Sequence, residues 1–213
     1  MDVNEYINKL IEQGEHQRLD FKFAVNDSKK IARTLAAFAN TDGGTLLLGV
    51  KDNGRIVGVN SDEEYYMMES AADLYCKPSV KLEVQRWQIS GKVVLEVIVQ
   101  KSDKRPHLAP DKNGKYTAYI RVKDENFIAS PIQVKVWKKK ASKQPKPFVY
   151  SHKYDAVLDA LRINEKLTLL QLSKKAFSSE KEVEEILIEL ILAQLVSIET
   201  TDTNTYFSVV NTD

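Results

Sequence analysis

The spacing of apolar residues changes along the chain, and each spacing predicts a different kind of element. Apolar positions three and four residues apart predict three helices, at 3–11, 28–40 and 62–75. Alternation around Leu19 and Phe21 predicts a half-buried strand. The unbroken apolar run at 45–50, with glycine on both sides, predicts a strand that is buried on both faces.

Turn residues separate the strands that follow. The tripeptide Asp52-Asn53-Gly54 is a hairpin signal and predicts a returning strand at 55–59. A second hairpin is predicted over 80–99, with its turn at Ser90-Gly91-Lys92. Ser130 and Pro131 form a good N-cap and first-turn pair for a closing helix. We therefore predict a first domain of the α+β class over 1–136.

The remainder of the chain predicts a linker and a second, smaller domain. Residues 137–150 carry lysines and prolines, which is typical of a linker. Helical spacing then recurs three times and is followed by two short β-rich segments; these lie at 154–161, 168–176, 180–195, 196–199 and 206–210. Three helices and a two-stranded wing predict a winged-helix-like domain over 151–213.

Composition narrows the classes of protein to which the chain can belong. Of its 213 residues, 43% are hydrophobic and 29% are charged, as in a soluble globular protein. The single cysteine, Cys76, excludes an internal disulfide and any zinc site built from several cysteines. Since no apolar stretch is long enough to span a bilayer and no leader precedes the first helix, we expect a cytoplasmic protein without a membrane partner.

The net charge of +1 conceals an uneven distribution of charged residues. Residues 1–125 carry nineteen basic and nineteen acidic side chains, whereas 126–154 carry seven lysines and no acid. Residues 155–213 carry five basic and eleven acidic side chains, a net charge of −6. Because charges act over about 10 Å in salt, the local excess decides which partners are attracted.

Three ordered motifs carry a resemblance to a known family. They are Glu-His-Gln-Arg-Leu-Asp-Phe-Lys at 15–22, Ala-Phe-Ala-Asn-Thr-Asp-Gly-Gly at 37–44, and the glycine-bounded turn at 49–58. A Tyr-x-Arg strand at 119–121 extends the likeness. In this order the motifs resemble the Schlafen-type AlbA_2 domain, whose fold is α+β with a mixed, mostly antiparallel sheet and flanking helices.

The resemblance also implies a function. It indicates a nucleic-acid-binding protein, in particular a DNA-binding transcriptional regulator that works as a homodimer and needs no cofactor. Some members of the family are instead divalent-metal-dependent ribonucleases that act on structured RNA. For this alternative the resemblance assigns Glu15 and Asp20 as ligands of Mg²⁺ or Mn²⁺, and Asp52 as a third catalytic acid. A protein–protein adaptor is a third hypothesis.

The acidic residues leave the choice between an enzyme and a binding protein open. Carboxylate oxygens suit hard divalent cations. Glu15 and Asp20 can equally form ion pairs with Arg18 or Lys22. Asp52 occupies a turn, where an acidic residue is favoured for backbone reasons alone.

Two sets of residues are candidates for contacts with nucleic acid. The loop after the second helix either turns its amides towards a phosphate or simply ends the helix; it contains Asn40, Thr41, Gly43 and Gly44. Basic side chains would neutralise phosphates without reading the base sequence; they are Lys22, Arg105, Arg121, Lys135, Lys138, Lys139, Lys140 and Lys143. Trp137 and Phe148 either stack on bases or anchor the linker.

The predicted helix at 180–195 is acidic, which argues against its insertion into a DNA groove. Its main apolar stripe leaves out Ile188 and Leu192. A second apolar edge of this kind predicts contact with another chain, so we expect a homodimer formed partly through the C-terminal domain.

Overall fold

The computed structural model describes residues 3–142 and 148–210. The chain forms two compact units, Met1–Ile128 and Ala129–Asp213. The first unit contains the helices α1 (Val3–Glu12), α2 (Ser28–Asn40) and α3 (Ser61–Leu74). Its strands are β1 (Leu19–Lys22), β2 (Gly44–Leu48), β3 (Glu83–Ile89), β4 (Lys92–Val99), β5 (Leu108–Pro110), β6 (Tyr116–Val122) and β7 (Glu125–Ile128).

These strands form two sheets. The larger sheet has the order β1-β2-β4-β3, and the smaller has the order β5-β6-β7. β1 and β2 are parallel, whereas the other neighbouring pairs are antiparallel. The prediction of an α+β fold with a mixed, mostly antiparallel sheet and flanking helices is therefore confirmed.

β2 lies inside the larger sheet and is covered on both faces. Leu46 and Leu48 are buried in the core that α2 and α3 also line. Leu47 points to the opposite face and is buried with Ile7 of α1 and Val50. Because side chains alternate along a strand, burial of both faces requires the unbroken apolar run that predicted this strand.

The two predicted hairpins have different outcomes. β3 and β4 pair as predicted, and their turn places Ser90 at φ 50° and Gly91 at φ 76°, the left-handed geometry that matches strand twist. The strand predicted at 55–59 does not form, although Ile56 makes a bridge with Val50. Its residues turn away because the amides at 57 and 58 both donate to the carbonyl of Gly49.

In the described residues 129–142 and 148–210, the second unit contains four α-helices, a short 3₁₀ turn and three strands. The elements are α4 (Pro131–Ala141), the 3₁₀ turn His152–Tyr154, α5 (Asp155–Ile163), β8 (Leu167–Thr168), α6 (Leu169–Lys175), α7 (Glu180–Leu192), β9 (Val196–Thr200) and β10 (Thr205–Val209). The strands form an antiparallel sheet in the order β8-β10-β9. β8 adds a third strand to the predicted pair, since its two residues hydrogen-bond to β10.

α4 belongs to the second unit because its apolar face packs against α7. Ile132 and Val136 are buried in the same core as Leu187. The predicted domain boundary at residue 136 therefore falls inside a helix, and the first part of the predicted linker is helical. Residues 143–147 of that linker lie outside the described part of the chain.

The same core covers the two residues predicted to form a second apolar edge on α7. Ile188 is 2% exposed, and Leu192 is half-buried against the same cluster. The expectation that these two side chains form a free edge is wrong, because residues of α4, α5 and the sheet share their core. No helix in the described ranges is both long and apolar enough to cross a bilayer.

Candidate functional site

Asp20 and Arg121 form a buried ion pair between the two sheets of the first unit. Asp20 lies on β1, and its Oδ1 accepts a hydrogen bond of 3.2 Å from Nη2 of Arg121 on β6. The side chains are 4% and 2% exposed. Arg121 also donates to the carbonyl of Leu19 and to Asn126, and its guanidinium lies 5.3 Å from the ring centroid of Phe38. These partners place Arg121 inside the protein, not at a phosphate-binding surface.

Glu15 and Lys22 complete this cluster. Lys22 Nζ lies 3.1 Å from Oδ1 of Asp20 and 3.6 Å from Oε1 of Glu15. Glu15 Oε1 also accepts a hydrogen bond of 2.9 Å from the amide of Phe21. Burial raises the pKa of Glu15, and the hydrogen bond with Asp20 raises it further, although the Phe21 amide opposes this shift. The cluster therefore places two carboxyl groups next to two cationic side chains.

The cluster does not fit a divalent metal. Asp20 Oδ1 is already shared between two cationic side chains. Asp52, the predicted third acid, is exposed in the turn after Val50. Across residues 3–142 and 148–210, no three histidine, cysteine or acidic side chains come together as a metal site. Since a nuclease metal needs several oxygen ligands at about 2.0–2.6 Å, Glu15 and Asp20 act here as ion-pair partners.

The loop after α2 uses its polar groups inside the protein. Asn40 is buried, and its amide donates to the carbonyls of His107 and Tyr119, at 2.8 Å each, while its oxygen accepts from the His107 amide. Thr41 Oγ1 donates to the carbonyl of Ala37 and accepts from the backbone amide of Arg121. This loop fastens the end of α2 to β5 and β6.

The two glycines of the loop are required by close approach. Gly43 has φ 71°, and its amide donates to the carbonyl of Phe38. A Cβ at Gly43 would lie 2.7 Å from the carbonyl oxygen of Val99, and a Cβ at Gly44 would lie 2.5 Å from the Phe38 ring. The Gly-Gly motif therefore has a structural explanation that needs no phosphate.

A cleft of about 940 Å³ opens beside the ion-pair cluster of the first unit. Its basic lining residues are Lys22, Lys30, Arg33, Lys112 and Arg121. Its acidic lining residues are Asp20, Asp27, Asp111, Asp124 and Glu125. Because the two signs are equal in number, the cleft does not have the positive excess that concentrates a polyanion.

A run of exposed basic residues lies at the end of α4. Ser130 caps this helix, and its residues Ile132 and Val136 are buried in the core of the second unit. Trp137 is also buried, so it is not available for base stacking. Three consecutive lysines on the last turn are exposed; they are Lys138, Lys139 and Lys140. Their charges also complement the helix dipole. α4 itself contains no acidic residue.

The other predicted basic contacts lie in different environments. Lys135 pairs with Glu184 of α7 at 2.7 Å. Arg105 is half-buried, and Lys143 lies outside the described residues. The surface where the prediction of phosphate contact remains open is therefore the last turn of α4.

Lysines and aromatic residues meet around Glu189 of α7. Glu189 Oε2 lies 2.7 Å from Lys153 Nζ and accepts a hydrogen bond of 2.7 Å from the hydroxyl of Tyr154. The Lys153 contact lowers the pKa of Glu189 most, and the charge of Lys139 contributes. The rings of Phe148 and Tyr150 lie 5.4 and 5.7 Å from the Tyr154 ring. Sequence reasoning identified Phe148 but missed Tyr150 and Lys153, although three aromatic residues in the seven-residue stretch 148–154, soon after a lysine run, were a visible signal.

Comparison with known families and structures gives the following matches. The family model described as Schlafen, AlbA_2 matches residues 15–130, more than half of the chain. The DIP2311 protein from Corynebacterium diphtheriae is 22% identical, with a TM-score of 0.44 over 69% of this chain and 32% of its own. This chain thus matches about a third of DIP2311.

A second similar structure is the N-terminal domain of a putative ATP-dependent DNA helicase RecG-related protein from Nitrosomonas europaea. It is 23% identical, with a TM-score of 0.46 over 71% of this chain and 96% of its own. Comparison with functionally curated proteins gives no significant match.

Proposed function

Because the chain belongs to the Schlafen AlbA_2 family, we propose that it is a nucleic-acid-binding protein whose affinity comes chiefly from phosphate contacts. The observation that carries the proposal is the exposed turn Lys138–Lys140, on a helix without acids. The apolar face of α4 is buried, which holds the helix in place. Its exposed lysines therefore form an ordered positive surface and do not belong to a flexible segment. We further propose that the target is DNA and that the protein regulates transcription.

The helix order of the second unit supports a winged-helix-like module, which we include in the proposal. One helix, a short strand, two helices and two strands follow one another from α5 to β10. The exposed acids of α7 are Glu180, Glu182 and Glu185. Because they would repel phosphates, we propose that this module binds nucleic acid through α4 and not through α7.

The proposal predicts a steep dependence of affinity on salt. Each neutralised phosphate contributes a slope of about −0.9 in a plot of log K against log salt for duplex DNA. Replacing Lys138, Lys139 and Lys140 by alanine should therefore flatten the slope by up to about 2.7. The measurement is fluorescence anisotropy of a labelled duplex between about 50 and 200 mM salt.

A matched control removes the same charge elsewhere in the second unit. Lys174, Lys175 and Lys181 are exposed on α6 and α7. Their triple alanine variant should keep the wild-type slope. Affinity that is indifferent to salt, or equal losses in both triple variants, would contradict the proposed contact surface.

The ribonuclease alternative is tested with the same protein. The compensated charges around Asp20 lead us to expect that structured RNA stays intact during incubation with Mn²⁺. Cleavage that is abolished by Glu15→Gln and by a chelator would instead establish the enzyme. Failure of both binding and cleavage would favour the adaptor hypothesis.

A further inference from the structure

Phe148, Tyr150 and Tyr154 form an aromatic cluster, which we call the aromatic platform. The rings of Phe148 and Tyr154 are stacked, with an interplanar angle of 30°. Tyr150 meets Tyr154 edge-on, at 60°. Tyr154 is buried beneath them, whereas Phe148 is 39% and Tyr150 52% exposed. Two aromatic side chains are thus held against a buried third ring and still face solvent.

The platform is fixed in place by polar contacts below and beside it. The Tyr154 hydroxyl donates to Glu189, and the Tyr150 hydroxyl donates to Asp155 at the start of α5. Both contacts restrict ring motion before any ligand arrives. Binding to such a surface costs less conformational entropy than binding to a flexible aromatic side chain.

Charged groups of both signs lie beside the platform, since the carboxylates of Glu189 and Asp155 accept hydrogen bonds from its two tyrosines and Lys153 lies next to the Tyr154 ring. Lys153 Nζ is 4.9 Å from the Tyr154 ring centroid and 2.7 Å from Glu189. Lys139 is close enough to Glu189 to lower the pKa of its carboxyl group. Lys153 thus lies beside the platform, and α4, which carries Lys139, packs against α7, which carries Glu189.

We propose that this surface binds single-stranded nucleic acid, with unpaired bases stacked on Phe148 and Tyr150 and phosphates held by Lys139 and Lys153. The inference rests on the proposed nucleic-acid-binding function and adds a preference for unpaired bases. In a duplex both faces of an internal base are already stacked, so a side chain cannot cover them without disrupting the helix. In a single strand the faces are free, and stacking on an aromatic ring is tolerant of base identity.

The test compares two probes of the same sequence. One is a labelled single-stranded oligonucleotide of about 20 nucleotides, longer than the ~4–16-nucleotide sites of typical single-strand binders. The other is the corresponding blunt duplex. The 213-residue chain is titrated into each at constant salt, and binding is followed by fluorescence anisotropy. We expect wild-type protein to bind the single strand about tenfold more tightly than the duplex. A change in affinity of about tenfold is typical of the stacking of one base.

Variants then separate stacking from charge. Phe148→Leu and Tyr150→Leu should each weaken single-strand binding about tenfold and leave duplex binding within about twofold. Tyr150→Phe keeps the ring and loses only the contact with Asp155 that restricts its motion, so it should retain most of the single-strand binding. Phe177→Leu is the matched control, because Phe177 is 96% exposed in the same unit and distant in sequence from the platform. It should change neither affinity.

The outcomes distinguish the inference from the proposed function. Equal binding of both probes, no effect of the leucine variants on the single strand, or an equal loss in Tyr150→Phe would each overturn the stacking proposal. A steep salt dependence that the lysine triple variant flattens would still support the proposed function in those cases. If wild-type protein binds neither probe, both are overturned. Circular dichroism of each variant establishes that a loss of binding is not a loss of fold.

Discussion

At the residue scale, the pair of Asp20 and Arg121 shows how a predicted functional side chain acquires a structural role. Both residues were candidates for the site, one as a metal ligand and the other as a phosphate contact. The structure buries them against each other, with Lys22 and Glu15 beside them. A charge removed from water in this way is tolerated because its partner supplies hydrogen bonds and an opposite charge.

Replacing Arg121 by methionine should therefore destabilise the first unit strongly. The change leaves the Asp20 carboxylate buried with weaker compensation, and breaking such a pair from one side costs about 3–5 kcal/mol. Urea unfolding followed by circular dichroism measures the loss. Lys101→Gln, which removes the exposed partner of Asp42, should have a much smaller effect. A similar effect for both variants would show that burial of the pair does not matter.

His107 provides a second prediction at this scale, on pH. Its Nδ1 lies 2.9 Å from the Pro78 carbonyl, which can only accept, so Nδ1 carries the proton and Nε2 accepts from the Ser102 hydroxyl at 2.7 Å. Both nitrogens of the neutral ring therefore have a hydrogen-bond partner. Burial lowers the pKa of His107 below its usual 6.5, the charge of Arg105 lowers it too, and the contact with Pro78 opposes the shift.

The sign of the pH effect follows from this lowered pKa. Below about pH 6.5 the unfolded chain binds a proton at residue 107 that the folded chain does not, so acid favours unfolding. Above that pH the ring is neutral in both states and contributes no pH dependence. The free energy of unfolding should fall between about pH 7 and about pH 5.5, and His107→Gln should reduce this fall. His152→Gln, at a fully exposed histidine, should leave it almost unchanged.

At the element scale, local signals determine where helices begin. α7 starts at a capping box, in which Ser179 Oγ accepts from the amide of Glu182 and the Glu182 carboxylate accepts from the amide of Ser179. These contacts join residues three positions apart, so they are visible in the sequence. They also lower the pKa of Glu182, since both the amide and the hydroxyl of Ser179 favour its ionised form.

Ser179→Ala should lower the free energy of unfolding of the second unit by about 1 kcal/mol, the usual cost of losing an N-cap side chain. Chemical denaturation of the full chain, followed at a signal from the second unit, provides the measurement. Ser178→Ala is the adjacent control, because the Ser178 hydroxyl donates to the Ala176 carbonyl and caps no helix N-terminus. An equal loss in both variants would rule out the cap as the cause.

At the scale of the whole molecule, the hydrophobic cores of the described residues divide between the two units. Two buried clusters consist of residues from the first unit, and a third consists of residues from 129 onwards. This division places α4 in the C-terminal unit, so the boundary between the two units lies between residues 128 and 129. A chain that begins at residue 137 lacks Ile132 and Val136, which are both buried.

We therefore expect fragments 1–128 and 129–213 to fold independently, each with a cooperative thermal transition. Fragment 137–213 should be less stable than 129–213 by about 3 kcal/mol or more, because two buried aliphatic side chains are missing. Thermal unfolding followed by circular dichroism compares the fragments. Equal stability of 129–213 and 137–213 would show that α4 contributes nothing to the core.

The homodimer also belongs to this scale and stays a prediction. Ile188 is buried and offers no surface for a partner, whereas Phe177 and Leu195 are exposed apolar side chains on the second unit. Light scattering on the full chain and on fragment 1–128 provides the measurement. A monomer at micromolar concentration would contradict the dimer, whereas a dimeric fragment would place the contact in the first unit.

The sequence by itself determined the features whose causes are local. The apolar run at 45–50 indicated a strand buried on both faces, and the family motifs indicated the α+β fold. Helix bounds followed from apolar spacing and capping residues, and the turn at Ser90 and Gly91 followed from turn chemistry. Each of these signals comes from residues that are close together in the sequence, within about one or two helical turns, so the sequence alone reveals it.

Only the tertiary structure decided which polar groups meet. Asp20 and Arg121 are 101 residues apart, and Asn40 bonds to backbone groups 67 and 79 residues away. Alternation placed Asp20 on the polar face of a strand, but in the structure Asp20 is buried and pairs there with Arg121 of β6. Similarly, residues 137–141 were predicted to belong to a linker, whereas in the structure they continue α4, which packs against α7. Periodicity shows which face of a helix or strand is apolar. It does not show what packs against the polar face, because that depends on the path of the whole chain.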